Sequence, residues 1–371
     1  MTRRTLIAVF EVPGLGGASS SAYALFRKMR TDGLDVHLVN LVDTFDLPYI
    51  QYTFGSAYGN PRGLANVHTC VLDDTTLRRH DGLAGLVEAI APDVILGYGD
   101  LATALVKLAA PEVGVVFYAA GSQRAGTLLA RGRVADGCAL LDRCVTAVHA
   151  PAVMPGRESQ AVQSADLIVA CSGMIQRLLE YFYPYPQSCT VFPEVIPQAE
   201  WIAEAAAGDG GPGKPFAERE LDLLFVASSW ARVEKNLPMV ERIAARLPGA
   251  RIGIVGEAAP GIPGATRYGF VADSQAVLGL MASAKAVVCP SRFDASPGIL
   301  FQGSAMGCNI VASKNCGNWA ICHDELLVEP ATEEGFAAAA ARAIDAKRCD
   351  KMRALLERRG YARLLEVLDV L

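Results

Sequence analysis

Short apolar runs alternate with helical segments along the chain, and this alternation begins twice. The first series opens with TLIAVFEV (5–12) and continues to ADLIVACS (165–172). The second series opens with LDLLFVAS (221–228) and ends with LLVEP (326–330). Because strands that alternate with helices form parallel β-α-β units, each series predicts its own doubly wound sheet. The glycine- and proline-rich stretch 205–218 lies between them and is typical of an exposed connection.

The length of the chain agrees with two domains, since 371 residues exceed the usual size of one. We predict an α/β protein with two facing Rossmann-like domains, residues 1–198 and 199–350. A C-terminal helix over residues 351–371 is expected to pack back on the first domain. Ligands of doubly wound sheets bind outside the carboxyl ends of the strands. The predicted binding site is therefore an interdomain cleft in which each sheet holds one part of the ligand.

Charge and composition restrict the partners. The net charge is -5 and the basic residues are spread thinly, which argues against a nucleic-acid partner. The first apolar run, TLIAVF, is too short for a secretory signal, and no run approaches the length of a membrane span. Ten cysteines without a C-x-x-C pair indicate a reducing compartment. We expect a cytoplasmic protein whose only membrane association is peripheral, at the inner face.

No metal or other cofactor is expected. The group Cys316, Cys322 and His323 fits no standard zinc spacing, and no D-x-D motif stands at a strand end. The five histidines are scattered along the sequence, so we expect them to form no cluster.

The segment PSRFDASPGILFQGSAMG (290–307) contains the most specific candidate site. Asp294 follows a predicted strand and can accept hydrogen bonds from sugar hydroxyls. Pro297 suits the start of a helix, where its missing N–H costs nothing. The backbone amides near residues 298–300 would then form an anion site, and Gln302 lies about one turn further on. The alternative is an ordinary loop and core helix in which Gln302 is satisfied internally.

Two other strand-to-helix turns are candidates for phosphate or substrate binding. PGLGGASSS (13–21) follows the first strand, and its glycines allow close approach of an anion to the backbone. SSWARVEKN (228–236) follows the first strand of the second series and places Arg232 and Lys235 at its carboxyl end, where two cations suit a diphosphate. The alternatives are a tight turn without a ligand and a solvated loop with incidental charges.

The order of these motifs resembles the GT-B glycosyltransferases, specifically the large retaining family that uses nucleotide-sugar donors. That family has two glutamates separated by seven residues, and here the pattern reads D-ASPGILF-Q, with Asp294 and Gln302 at the two positions. LFVASSWARVEKN resembles the donor-phosphate loop, with Lys235 on the family's lysine. Trp230 stands where the family has an arginine, and Arg232 is a substitute two residues on. The resemblance is strongest over residues 221–330.

The resemblance implies a retaining hexosyltransferase that moves a sugar from UDP- or GDP-sugar to a glycan, lipid-linked or other small hydroxyl acceptor, for example in polysaccharide assembly. The second domain would bind the donor, and the first domain the acceptor. The residues and the resemblance together predict catalytic roles for Asp294, Lys235 and Arg232, donor binding by Ser296, Pro297, Gly298, Ile299, Leu300, Gln302, Gly256, Glu257 and Val271, and contacts with donor or acceptor by Gly16, Gly17, Ala18, Ser122 and Arg124.

Two other functions remain open. A catalytically weak or inactive GT-B subunit that binds a nucleotide or a partner glycosyltransferase is favoured by Gln302 and Trp230, which replace the family's charged residues. A sugar-nucleotide epimerase with the same fold would need acid–base residues in the cleft, and the loops there are poor in histidine.

Overall fold

The computed structural model describes residues 3–10, 17–44, 65–146, 156–183, 188–190, 214–259, 261–271, 273–348 and 351–371. Two compact units are present. The first consists of Met1–Arg124, Ala147–Val195 and Arg359–Leu371, and the second of Ala125–Thr146 and Ile196–Arg358. Residues 125–146, which lie inside the predicted first domain, thus pack with the second unit, while the exact domain boundaries stay a prediction.

The first unit is built on a seven-stranded sheet in which every described pair of strands is parallel. Its order is β3-β2-β1-β4-β5-β6-β7, the reversal of direction beside β1 that a doubly wound sheet requires. The strands are β1 (Thr5–Phe10), β2 (Val36–Asp43), β3 (Val67–Leu72), β4 (Val94–Tyr98), β5 (Gly114–Ala119), β6 (Leu167–Ala170) and β7 (Ser188–Thr190).

The second unit has a six-stranded parallel sheet of order β10-β9-β8-β11-β12-β13. Its central strands are buried on both faces, which explains why they appear in the sequence as continuous apolar runs. The strands are β8 (Leu221–Ser229), β9 (Ile252–Glu257), β10 (Ala265–Gly269), β11 (Ala284–Cys289), β12 (Asn309–Ser313) and β13 (Leu327–Val328).

Helices join the strands and cover the sheets. Among the described residues, no helix is both long enough and apolar enough to cross a membrane. The helices are α1 (Gly17–Thr31), α2 (Asp81–Ile90), α3 (Asp100–Ala109), α4 (Gln123–Ala130), α5 (Gly137–Thr146), α6 (Arg157–Ser164), α7 (Gly173–Phe182), α8 (Leu237–Arg246), α9 (Ser274–Ala282), α10 (Gly298–Ala305), α11 (Glu333–Asp345), α12 (Met352–Arg359) and α13 (Tyr361–Asp369).

Local sequence signals explain where several helices begin and which face they bury. Asp273 caps α9, because its Oδ1 accepts a hydrogen bond from the Gln275 amide at 2.9 Å. Helix α8 has a proline in its first turn and buries Val240 and Ile243 against the second sheet, as their helical spacing predicts.

The last helix, α13, packs within the first unit. Leu364, Val367 and Leu368 on α13 are buried. The guanidinium of Arg3 donates a hydrogen bond to the carbonyl of Leu368 at 2.5 Å, and Lys28 on α1 lies over the ring of Tyr361 at 5.2 Å. The chain therefore returns to its first unit at the C-terminus.

Two histidines on neighbouring strands contact each other, so the expectation that the histidines form no cluster is wrong for this pair. His37 Nδ1 on β2 lies 3.1 Å from His68 Nε2 on β3, and the ring planes differ by 9°. At this distance one ring donates an N–H to the other, and both side chains are partly buried. The sequence hid the pair because β3 is an edge strand whose pairing with β2 is not local.

This pair makes stability depend on pH. Burial lowers the pKa of both histidines, and the proximity of His68 lowers that of His37 further against the opposing effect of Asp35. Because the pKa is lower in the folded chain, the stabilisation is complete above the ordinary value of 6.5 and is lost as the pH falls through the folded-state pKa. Denaturant unfolding between pH 7.5 and 5 should show a flatter loss of stability in His68→Gln than in the wild type. His323→Gln, in the other unit, serves as the control; equal pH dependence in all three proteins would contradict this prediction.

Candidate active site

The loop after β11 holds Asp294 in a fixed position. The Asp294 amide donates to the carbonyl of Asn315 at 3.0 Å, and the Gly317 amide donates to the carbonyl of Asp294 at 2.8 Å. These two bonds form a parallel bridge between Asp294 and the segment after β12. The side chain of Asp294 is 14% exposed, so the carboxylate can contact both protein and ligand.

Lys235 is paired with this carboxylate. It ends a 3-10 turn, Val233–Lys235, that follows β8, and its Nζ lies 2.5 Å from Asp294 Oδ2. Burial opposes the charged ammonium, but the Asp294 carboxylate outweighs this effect and raises the pKa of Lys235. Lys235 is therefore a protonated, preorganised cation. The structure thus brings together two of the three predicted catalytic residues, because β8 and β11 are neighbouring parallel strands.

Additional hydrogen bonds join the Lys235 turn to the Asp294 loop. The Arg292 amide donates to the carbonyl of Glu234 at 2.8 Å, and Asn236 Nδ2 donates to the carbonyl of Pro290 at 2.9 Å. Asn236 has a left-handed backbone conformation (φ 59, ψ 50), which asparagine tolerates better than most residues. The two loops are consequently held as one rigid element.

Arg232, the third predicted catalytic residue, is placed differently. Its exposed guanidinium forms an ion pair with Glu234, with Nη2 2.5 Å from Oε1. Trp230, at the position of the family's arginine, is buried in the core of the second unit, where its Nε1 donates to the carbonyl of Val255 at 3.0 Å. The sequence could not show that Trp230 fills a core position or that Glu234 pairs with Arg232.

Helix α10 begins beside this ion pair. Pro297 is its N-cap residue, as predicted. The Leu300 amide already donates to the carbonyl of Pro297 at 3.0 Å, so the prediction that this amide is free for an anion is wrong. The amides of Gly298 and Ile299 have no backbone partner among the described residues and point to a two-amide anion site.

Two further residues of the predicted donor set lie on or beside α10. Ser296, just before the helix, has a buried Oγ without a hydrogen-bond partner in the described part of the chain. Gln302 is half-buried in the second turn, at the position that the spacing predicted. The fully buried Asn318 supports the start of the helix, because its Nδ2 donates to the carbonyl of Pro297 at 3.3 Å.

The remaining donor candidates of the second unit stand at the same edge of its sheet. Gly256 is buried at the end of β9, and Glu257 follows it exposed. Val271 is half-buried and follows β10. Since β8, β9, β10 and β11 are parallel, their carboxyl ends meet at one edge, and these residues lie on the side of the sheet that carries Lys235 and Asp294.

The candidates of the first unit are only partly described. Gly16 lies outside the described residues, and Gly17 and Ala18 form the start of α1. Ser122 is buried in the turn after β5, and Arg124 lies in the first turn of α4 with its guanidinium 4.8 Å from the ring centroid of Phe182.

Sequence reasoning missed Glu158, which shapes the turn after β5. Its Oε1 accepts from the Gln123 amide at 3.0 Å, and its Oε2 accepts from the Arg124 amide and the Tyr183 hydroxyl, each at 3.1 Å. Burial raises the pKa of Glu158, and burial together with Glu158 raises the pKa of Tyr183 to about 12. The carboxylate thus occupies the N-terminus of α4 and orients the Ser122–Arg124 turn. A single glutamate in a polar helix gave no signal of this role.

The segment between β5 and β6 contributes to the second unit's site. The Gly137 amide at the start of α5 donates to the carbonyl of Arg292 at 2.8 Å, and the Cys138 amide donates to Asn315 Oδ1 at 2.8 Å. A Cβ added at Gly137 would lie 3.3 Å from the Phe293 ring, so the start of α5 lies close against the Asp294 loop. The first two amides of helix α5 therefore help to hold the Asp294 loop and the segment after β12 in place.

The second unit matches a known family. Residues 220–346 match the family model described as "Glycosyl transferases group 1". This match runs from β8 to α11 and contains both Lys235 and Asp294. No curated protein matches the chain significantly.

Solved structures resemble nearly the whole chain. HepE from Anabaena, in complex with UDP and glucose, has 13% identity and a TM-score of 0.59, covering 99% of this chain and 100% of its own. Sucrose-phosphate synthase from Thermosynechococcus elongatus has 15% identity and a TM-score of 0.59 with the same coverage. WaaG, a glycosyltransferase involved in lipopolysaccharide biosynthesis, has 12% identity and a TM-score of 0.56, covering 92% of this chain and 90% of its own. The chain has the GT-B fold.

The GT-B fold confirms the predicted fold class and the predicted resemblance. At these low identities the solved structures establish the fold, and the match of residues 220–346 connects it with sugar transfer. Together they support a glycosyltransferase.

Proposed function

We propose that this GT-B protein is a retaining hexosyltransferase that uses UDP- or GDP-sugar. The supporting observation is the Lys235–Asp294 ion pair, which joins two loops at the carboxyl edge of the second sheet, inside the region that matches the group 1 family. HepE, which has the same fold, was solved with UDP and glucose. The donor would therefore bind the second unit, with its diphosphate at Lys235.

The chemistry of the site is mainly stabilisation of charge on the leaving diphosphate. The ammonium of Lys235 has three N–H donors, so it can keep its bond to Asp294 and still donate to a phosphate oxygen. The amides of Gly298 and Ile299 at the start of α10 would bind the same phosphates with the help of the helix dipole. Asp294 would accept hydrogen bonds from the sugar, and Gln302 would bind the ribose.

The acceptor would bind the first unit. The turn with Ser122 and Arg124, held by Glu158, and the start of α1 at Gly17 both follow the carboxyl ends of its strands, where ligands of such sheets bind. In the proposed reaction a hydroxyl of a glycan, a lipid-linked sugar or a small molecule attacks on the face that the diphosphate leaves. The departing phosphate takes the proton of that hydroxyl, so no protein base is required.

Turnover of a donor panel tests this proposal. UDP-, GDP- and ADP-hexoses are incubated with the full chain, and NMR follows the released sugar. We expect slow hydrolysis of one donor, with the first product in the anomeric configuration of the donor. Because protein cations and helix amides would neutralise the diphosphate, EDTA should leave the rate unchanged. A product of inverted configuration would disprove retention. The absence of both binding and turnover for every donor tested would disprove the proposal as a whole.

A second candidate function is a GT-B subunit with little or no activity. It is favoured by Trp230, which is committed to the core and supplies no charge, and by the neutral amide of Gln302 at the family's second glutamate position. Tight binding of a nucleotide together with no turnover of any donor, with or without acceptors, would support this function over the first.

We also propose a cytoplasmic location with at most peripheral contact to a membrane. Six cysteines of the described residues are buried, where a reduced cysteine packs as a small apolar side chain, and this suits a reducing compartment. Fractionation of cells that produce the full chain would test this; recovery of the protein with disulfides outside the cytoplasm would contradict it.

A further inference from the structure

A diphosphate site needs more positive charge than the predicted cations provide. A nucleoside diphosphate that leaves carries at least two negative charges. Lys235 is already paired with Asp294, and Arg232 is already paired with Glu234. Each cation is thus offset by a carboxylate of the same loops, and the net charge of these four side chains is zero.

Arg292 is a cation of these loops without a carboxylate partner. It is exposed and forms no ion pair with any described residue. Its backbone is fixed on both sides, because its amide donates to the carbonyl of Glu234 and its carbonyl accepts from the Gly137 amide, each at 2.8 Å. These two hydrogen bonds therefore fix the backbone position of Arg292 between the Lys235 turn and the start of α5.

The side chain of Arg292 is directed toward the Lys235 turn. Its Nε donates to Asn236 Oδ1 at 3.3 Å, and Asn236 is the residue after Lys235. Asn236 is itself fixed, since its Nδ2 donates to the carbonyl of Pro290 at 2.9 Å. The two terminal nitrogens of the guanidinium make no hydrogen bond to the residues that the structure describes, which leaves a planar pair of donors on an arginine bonded to Asn236, the residue after Lys235.

We propose that Arg292 is the second cation that contacts the donor's diphosphate, and that Asn236 positions it. This inference rests on the proposed function, since it assigns a further residue to the same donor site. Arg292 would replace the charge that Trp230 does not supply, and its free donors suit bidentate contact with phosphate oxygens. Arg232 could take this role only by leaving Glu234.

Nucleotide affinities of single variants test the proposal. Calorimetry measures the Kd of UDP, GDP and uridine or guanosine with the full chain, for the wild type, Arg292→Gln, Arg292→Lys and Arg232→Gln. For the diphosphate that the wild type binds, we expect Arg292→Gln to raise Kd at least tenfold and Arg292→Lys to raise it less. The Kd of the nucleoside should not change, because it lacks the phosphates. Arg246→Gln, on the exposed side of α8, where Arg246 pairs with Glu333 and Glu334, is the control for loss of a surface arginine.

A structural role for Arg292 would give a different result. Asn236→Gly keeps the left-handed backbone but removes the side-chain amide that positions Arg292. It should therefore weaken binding of the diphosphate and leave binding of the nucleoside unchanged. Unchanged diphosphate affinity in Arg292→Gln, or equal weakening of diphosphate and nucleoside, would overturn the proposal, as would a loss confined to Arg232→Gln. If the wild type binds no nucleotide at all, the proposed function itself fails. If the wild type binds the diphosphate and Arg292→Gln binds it equally well, only the role of Arg292 fails.

Discussion

Replacing Lys235 by alanine should lower kcat/KM for sugar transfer by about 10²–10³-fold, the loss typical of removing one preorganised group that stabilises charge in a transition state. Lys235 is the cation that contacts Asp294 at 2.5 Å, and its raised pKa keeps it charged throughout the neutral range. The measurement is steady-state turnover of the preferred donor by Lys235→Ala and by Lys214→Ala, a control whose exposed lysine pairs with Glu220.

A loss of folding must be separated from this loss of chemistry. Lys235→Ala leaves the carboxylate of Asp294, which is 14% exposed, without its partner, and an unpaired buried charge is destabilising. The double variant Lys235→Met, Asp294→Asn removes both charges, so it should regain stability without regaining activity. Activity of Lys235→Ala within threefold of the wild type would show that the diphosphate does not bind at this lysine.

Gly256→Ala should destabilise the second unit by about 3 kcal/mol or more, among the largest effects expected for one methyl group. The backbone of Gly256 has φ +132, and an added Cβ would lie 2.1 Å from the carbonyl oxygen of Ala227 and 3.1 Å from Trp230 Nε1. The oxygen belongs to the backbone of β8 and cannot move without disturbing the strand. For a unit of this size, the loss corresponds to a decrease in Tm of about 6–12 °C.

Thermal unfolding followed by circular dichroism measures this decrease. Gly261→Ala is the matched control, because no atom lies within 4 Å of the Cβ that it would add. We expect its Tm to equal that of the wild type. A Gly256→Ala protein with an unchanged Tm would contradict the steric account and would leave donor binding as the reason for glycine at this position.

The fold was predictable where burial alone decides the local structure. β8, β11 and β12 are buried on both faces and appear in the sequence as apolar runs with almost the observed bounds. β3 was missed because it lies at an edge, where its residues alternate between exposed and buried and carry polar side chains. Apolar content therefore identifies central strands well and edge strands poorly.

The candidate site around Lys235 and Asp294 was predictable to the extent that it follows from strand order. Lys235 and Asp294 both follow strands of one parallel sheet, so their proximity was expected, and the structure shows the ion pair. The sequence contains no local signal for contacts between distant segments, such as Glu158 with the Arg124 amide or Asn315 with the Cys138 amide. These contacts depend on how distant segments pack in three dimensions.

Hydrogen-bond competition explains the remaining differences. The Leu300 amide was expected to be free for an anion, but a first-turn bond to Pro297 uses it. Arg232 was expected to face a phosphate, but Glu234, two residues away, pairs with it. In both cases an acceptor close in the sequence bonds the N–H donor that was expected to bind a ligand.

A crystal structure of the full chain with its bound nucleoside diphosphate would show directly whether the donor binds at Lys235. We expect a phosphate oxygen within hydrogen-bond distance of Lys235 Nζ and of the amides of Gly298 or Ile299, with Asp294 beside the position of the sugar. A diphosphate bound in the first unit, or in the second unit away from both Lys235 and α10, would contradict it.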